Sequence, residues 1–441
     1  MTASLFDSAL YAKLLPTGEA ARLFSDTAEV RAMLLVEGAL AKAQGAAAII
    51  PEISAAAIHR ASLELQIDPA GLADATGRNG VSVPALVAAF RQLMQAPEHA
   101  QYIHWGATSQ DIIDSALMLR LRQMLAIYDQ GMTATVKALG QLADRHADTP
   151  MAARTYGQHA TPTSFGAAVA GWGQPLLAAL QDLRTLQADG LPVSLSGAAG
   201  TATELGPDPA ALRAELAAAL NLQDPGRSWH SDRTPVLRIA AVVTRACTAL
   251  GKMGEDLLLA TQSGIAELRL DAAGGSSTMP QKQNPVAPSV LVALARQAVG
   301  LNATLQGTAL HRQQRDGAGW FTEWMTLPPL CLSLASALIH AQRLAETLAP
   351  DTEAMRATLD SAQGLLAAEA LSFALTGRMS RPDAQAAVKT LCQQVIADGG
   401  HLRDAALAQW PDIDPGLFDP ARQLGTAPAE ARAFAAACRQ V

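Results

Sequence analysis

The chain has 441 residues, more than one hydrophobic core takes up, so two or three domains are expected. Hydrophobic residues make up 49 % and aromatics only 4 %, an alanine-rich composition that favours helices and leaves few runs suited to strands. A net charge of −7 argues against a nucleic-acid partner, which normally needs a basic face, so an anionic substrate must be held by local charge. Cys247, Cys331, Cys392 and Cys438 are widely spaced and read as reduced thiols. The N-terminus has no basic stretch leading into an apolar one, and no apolar run reads as long enough to cross a bilayer, so a cytoplasmic location with no membrane partner is expected.

In chain order, Asp26 to Gln44 opens with Asp26 and Glu29 in a capping-box pattern and continues with Val30, Met33, Leu34 and Leu40 at helical spacing. Asn79 to Pro84 reads as a loop. Thr108 or Ser109 can cap a helix that begins near Gln110, with Ile112, Ile113, Ala116, Leu117 and Leu121 on its apolar face. The clearest helix is expected from Pro235 to Leu268, where Val236, Ile239, Val243, Cys247, Leu250, Met253 and Leu257 keep the helical period. Long segments follow Pro288 and begin again near Trp320. From about Pro350, glycines and prolines break the chain into short helical pieces.

The chemistry concentrates in Gly274-Gly275-Ser276-Ser277-Thr278-Met279-Pro280-Gln281-Lys282-Gln283-Asn284-Pro285. Two glycines permit hinge motion, two hydroxyls follow, and a lysine and an asparagine precede a helix start whose free N–H groups favour an anion. A glycine-rich turn would account for the glycines and prolines, but not for Ser-Ser, Lys and Asn at this spacing. Two other stretches stand out. His104-Trp105-Gly106-Ala107-Thr108-Ser109-Gln110-Asp111 is by itself an ordinary helix cap. Arg154-Thr155-Tyr156-Gly157-Gln158-His159-Ala160-Thr161-Pro162-Thr163 is by itself a loop with one histidine.

The Gly-Ser-Ser-x-Met-Pro-x-Lys-x-Asn-Pro pattern resembles the signature of the fumarase/aspartase superfamily at every fixed position, and the other two stretches resemble that family's first and second substrate-binding blocks. The resemblance covers nearly the whole chain. It implies an all-α fold, with an elongated central helical bundle (106–348) between smaller helical domains (1–105 and 349–441). It also implies a homotetramer whose active sites are shared between subunits. Ser276 becomes the general base, with Ser277 beside it. His104, Thr108, Ser109, Arg154, Thr155, Tyr156, Lys282, Asn284, Arg315 and Trp320 become candidate ligands of a di- or tricarboxylate. His159 is a candidate for proton transfer, with a structural histidine as the alternative.

Many members carry a histidine where this chain has Tyr156, and that departure fits a leaving group that needs no acid. A carboxylate, with a pKa near 4, is such a group. Together with Leu195 to Thr201 and the Trp320–Trp324 pair, the departure points to the family's 3-carboxy-cis,cis-muconate cycloisomerase branch. A fumarate-releasing C–N lyase is the alternative, and a non-catalytic structural relative a third. Gln281 and Gln283 stand where many members have cations, and Arg312 or Arg315 could supply the missing charge. No metal-ligand spacing, P-loop or dinucleotide fingerprint occurs, so no cofactor is expected.

Overall fold

A computed structural model describes residues 4–271, 274–275, 278–279 and 282–441. The architecture is helical, with two small antiparallel β-pairs among the described residues. The labelled elements are α1 (Asp26–Ala46), α2 (Ser109–Arg145), β1 (Pro150–Thr155), β2 (Gln158–Ser164), α3 (Phe165–Asp189), α4 (Thr234–Ala260), β3 (Leu268–Arg269), α5 (Val286–Gln306), α6 (Gly317–Thr347) and β4 (Ala349–Pro350). Two compact units form. The first takes Met1–Gly131, Ala179–Thr248 and Leu294–Ile339, and the second Met132–Ala178, Ala249–Ala293 and His340–Val441. Their boundaries fall inside the five long helices α2 to α6.

In the first unit, α1 is capped by Ser25, whose hydroxyl accepts the Ala28 N–H at 3.3 Å. The capping box expected at Asp26 therefore starts one residue earlier, because Ser25 already holds the extended backbone a cap needs. Helix α1 packs closely on the helix Glu52–Glu64. Gly38 makes this approach possible, since a Cβ there would lie 1.9 Å from Ser62 Oγ. The stretch Asn79 to Pro84 is only partly a loop: Gly80, at φ 72°, ends one helix, and Pro84 sits in the first turn of the next, Val83–Met94. Helix α2 is 37 residues long and buries Ile112, Ile113, Ala116, Leu117 and Leu121 as its spacing predicts. Its Tyr128 hydroxyl, fully buried, donates to Cys331 O at 2.7 Å.

In the second unit, the start of α3 lies against the last turns of α2. A Cβ on Gly166 would meet Ala143 O at 2.4 Å, so a hydrogen is all that fits. Strands β1 and β2 form a hairpin, with Thr155 opposite Gln158. Helix α4 ends at Ala260, eight residues short of the expected Leu268. Gly264 adopts φ 90°, which no helix accommodates, and Leu268 instead joins β3, paired with Pro350 of β4. Beyond Thr352 short helices close around their own apolar cluster, which includes Leu371, Leu375, Val388, Leu391, Leu402 and Phe418.

Two helical stretches, Val286–Ala309 and Gly317–Thr347, are long and apolar enough to cross a membrane by length and composition, contrary to the sequence reading. In the second, 67 % of the apolar window is buried within the chain, as in a core helix; in the first only 39 % is. The four cysteines are free thiols. Burial pushes the Cys331 thiol up to about 12.

Candidate active site

The first block is a tight turn leading into α2. His104 and Gly106 both have positive φ, 65° and 72°. At Gly106 a Cβ would stand 2.3 Å from Glu204 O, so only glycine fits. Asp111, in the first turn of α2, is fully buried and gathers the surrounding chain. It accepts the N–H groups of Thr108 at 3.1 Å, Ser196 at 2.8 Å and Gly197 at 2.9 Å. The Ser194 hydroxyl lies at 3.2 Å and His230 Nε2 at 2.8 Å. One carboxylate thereby fixes the Thr108–Ser109 helix start against the loop 194–197.

Arg315 closes over this turn. Its guanidinium donates to Thr108 Oγ1 at 3.2 Å, Gln110 Oε1 at 3.0 Å and Ala198 O at 3.2 Å. Arg312 points elsewhere, paired with Asp316 at 2.8 and 3.0 Å. Of the two arginines considered from sequence, Arg315 is therefore the one that reaches the first block. His104, Thr108, Ser109 and Arg315 come together in the first unit. Trp320 is buried in the first turn of α6, packed against Trp324 with the rings tilted by 55° and centroids 4.7 Å apart, and its indole N–H has no hydrogen-bond partner among the described residues.

Behind the block lies a buried charge cluster. Arg233 donates to Asp114 at 2.8 and 3.1 Å and to Glu323 at 2.9 and 2.7 Å, and all three side chains are sealed from solvent. Its guanidinium also lies 4.7 Å from the centre of the Trp229 ring. Burial works against the charge on Arg233, but the two carboxylates outweigh it and raise its pKa. Burial, aided by Asp114, raises that of Glu323 although Arg233 opposes it.

The second block, in the second unit, is the β1–β2 hairpin itself. Tyr156 and Gly157 occupy its turn with φ of 52° and 74°, the pattern of a two-residue type I′ connection. Thr155, Tyr156 and His159 are exposed, Tyr156 fully so. Arg154 differs from its neighbours: both terminal nitrogens are held by Glu267, each at 2.8 Å, and Glu267 is completely buried. The backbone of Glu267 is fixed in turn, its N–H on Ala260 O at 2.9 Å and its carbonyl on the Asp351 N–H at 2.8 Å. A cavity of about 350 Å³ opens beside this pair, lined also by Gly157, Trp172, Lys252 and Asp256.

The serine loop belongs to the second unit. Ser276 and Ser277, with Pro280 and Gln281, lie outside the described residues. The loop's stem is described: Gly274 and Asn284 exchange two backbone hydrogen bonds, each at 2.8 Å. A Cβ on Gly274 would meet Val286 Cγ2 at 2.8 Å, so glycine lets the stem close on the start of α5. Lys282 is exposed and its N–H donates to Met279 O at 3.0 Å. Sequence reasoning had not singled out Glu37, Asp114, His230, Arg233, Glu267 or Glu323. No local pattern marks any of them, and only its partner, far along the chain, gives each a role.

Residues 17–300 match the model of the lyase family, and the chain belongs to that family, the fumarase/aspartase superfamily of helical-bundle enzymes. Within it, the chain is 38 % identical over 418 residues to 3-carboxy-cis,cis-muconate cycloisomerase of Pseudomonas aeruginosa, covering 92 % of this chain and 91 % of that protein. It is 34 % identical to nitrosuccinate lyase of Streptomyces davaonensis, covering 97 % and 94 %. Among solved structures, the 3-carboxy-cis,cis-muconate lactonizing enzyme of Pseudomonas putida superposes with a TM-score of 0.90 at 33 % identity, over 98 % of this chain and 99 % of that one.

Proposed function

We propose that the protein is a 3-carboxy-cis,cis-muconate cycloisomerase acting in aromatic catabolism. The observation that carries this reading is 38 % identity to a cycloisomerase along nearly the entire chain. Tyr156 supports it. In ring closure, a carboxylate oxygen of the substrate adds to a conjugated carbon, a C–O bond forms, and the neighbouring carbon takes up a proton. In reverse, a base removes that proton, the C–O bond breaks and the carboxylate departs as an anion. A group with a pKa near 4 leaves without a protein acid. A fully exposed tyrosine at the hairpin tip suits a site that lacks one.

Ser276 is the acid/base in this reading, with Ser277 adjacent. Lys282 and Asn284 hold the carboxylate beside the reacting carbon, where charge builds up in the aci-carboxylate intermediate. Thr108, Ser109, Arg315 and His104 bind a second carboxylate at the start of α2, while Trp320, expected from sequence to touch substrate, is buried and packs behind the site. Thr155, Tyr156 and His159 approach from the hairpin, and Arg154 sets that hairpin in place. The enzyme is a cytoplasmic homotetramer with active sites shared between subunits. The exposed apolar side of α5 supports the assembly. The 34 % identity to nitrosuccinate lyase favours a second reading, elimination from a substituted succinate.

The test is direct. Purified protein is incubated separately with 3-carboxy-cis,cis-muconate and with nitrosuccinate, and the ultraviolet spectrum is followed. Loss of the conjugated diene absorbance only with the first supports the cycloisomerase; turnover only of the second establishes the alternative.

A further inference from the structure

We propose that Glu37 is a positioning residue for His104, holding its imidazole as a cation aimed from the first block toward a substrate carboxylate. This rests on the reading that the 104–111 turn binds a carboxylate.

Glu37 lies in the middle of α1 and is 1 % exposed. Its Oε1 stands 2.7 Å from His104 Nδ1, and its Oε2 is buried with no hydrogen-bond partner among the described residues. A carboxylate this far from water, with one oxygen unsatisfied, is tolerated only against a strong donor. The imidazole is that donor, and a doubly protonated ring serves best. The backbone shows how firmly the ring is held. His104 keeps φ 65°, a left-handed conformation that is unfavourable for a non-glycine residue. Gln44, two turns further along α1, donates to Trp105 O at 2.7 Å and fixes the next residue to the same helix.

Charged groups face the ring from three elements. Glu37 comes from α1 and Asp111 from the first turn of α2. Arg91 comes from the helix Val83–Met94, its guanidinium donating to Ile103 O at 2.9 Å. Burial and Arg91 disfavour the cation, but the two carboxylates outweigh them, so the pKa of His104 is raised. The cation is thus present below this raised pKa and lost as pH climbs through it. The chemistry gives the charge a purpose. Between Gly274 and Pro285 the only cation is Lys282, with glutamines at 281 and 283, while the proposed substrate carries three carboxylates.

The experiment compares wild type, Glu37→Gln and His104→Asn in two ways. The first is the pH profile of kcat/KM for 3-carboxy-cis,cis-muconate. The second is calorimetric binding of propane-1,2,3-tricarboxylate across the same pH range, in two buffers of different ionisation enthalpy to count protons taken up. Removing the Glu37 charge should move the alkaline limb of both profiles down by about one pH unit or more, the usual effect of a close opposite charge. His104→Asn should abolish that limb and the proton uptake that accompanies it. A folded Glu37→Gln protein with an unmoved limb overturns the proposal. If Glu37→Gln fails to fold, His104→Asn decides alone: retained proton uptake overturns the proposal, and lost uptake supports it. A wild type that does not turn over the muconate sinks the cycloisomerase reading, while the tricarboxylate titration still tests the dyad.

Discussion

At the scale of single residues, the site pairs a demanding proton transfer with an undemanding leaving group. A serine hydroxyl is a weak base, and in the proposed mechanism Lys282 and the start of α5 supply the positive field that an alkoxide requires. Ser276→Ala is therefore expected to lower kcat by about 10²- to 10⁴-fold, the range for losing acid–base catalysis, while substrate binding survives. Tyr156→Phe should keep substantial turnover, because no leaving-group acid is needed. Steady-state kinetics of the two variants checks both; a tyrosine variant as inactive as the serine variant would refute the leaving-group argument. Arg233 has a different importance. Arg233→Met leaves Asp114 and Glu323 sealed together without a cation. Removing one member of a buried ion cluster costs about 3–5 kcal/mol, so a markedly lower denaturation midpoint is expected. An unchanged midpoint in urea would show that the carboxylates are neutralised by another route.

At the scale of elements, the Arg154–Glu267 pair joins the hairpin to the chain that leads into the serine loop. Glu267 is anchored by its backbone to the end of α4 and to Asp351 just after β4, so it is a fixed post for Arg154. Arg154→Ala leaves this buried carboxylate unpaired, with an expected loss of about 3–5 kcal/mol. Glu267→Gln keeps the shape but gives up the charge. It should loosen the hairpin, raising amide exchange over residues 154–160 more than elsewhere. Hydrogen-exchange mass spectrometry reads this out, and uniform exchange across both variants would remove the post from the account. The hairpin could be anticipated in part. Gly157 suits the second position of a type I′ turn, yet the segment reads as a loop because β1 has one β-branched residue, Thr155, and no regular alternation, and its pairing slips between Ala152 and Arg154.

At the scale of the whole molecule, the exposed apolar surface is the informative feature. Only 39 % of the apolar window of α5 is buried within the chain, and Val299 is 50 % exposed. Monomers seldom leave such a long apolar face to water. Light scattering is expected to give a mass about four times the 45.9 kDa of one chain, and dilution into monomers should abolish activity, since the blocks come from different subunits in the proposed assembly. An active monomer would end that proposal.

The sequence by itself determined the helical class, where α1, α2, α4, α5 and α6 begin, and the three segments proposed to carry the chemistry, while α3 was not anticipated. Helical spacing and a spaced signature are local properties, and residues such as Ile112, Ile113, Leu117 and Leu121 declare their buried face through period alone. It also determined the departure at Tyr156. Only the tertiary structure decided where α4 stops, that the second block is a hairpin, and that Arg315 rather than Arg312 reaches Thr108. It alone paired Glu37 with His104, Arg154 with Glu267, and Arg233 with Asp114 and Glu323. The reason is physical. A buried charge is settled by a partner dozens to hundreds of positions away, and no local pattern in the chain encodes which one it meets.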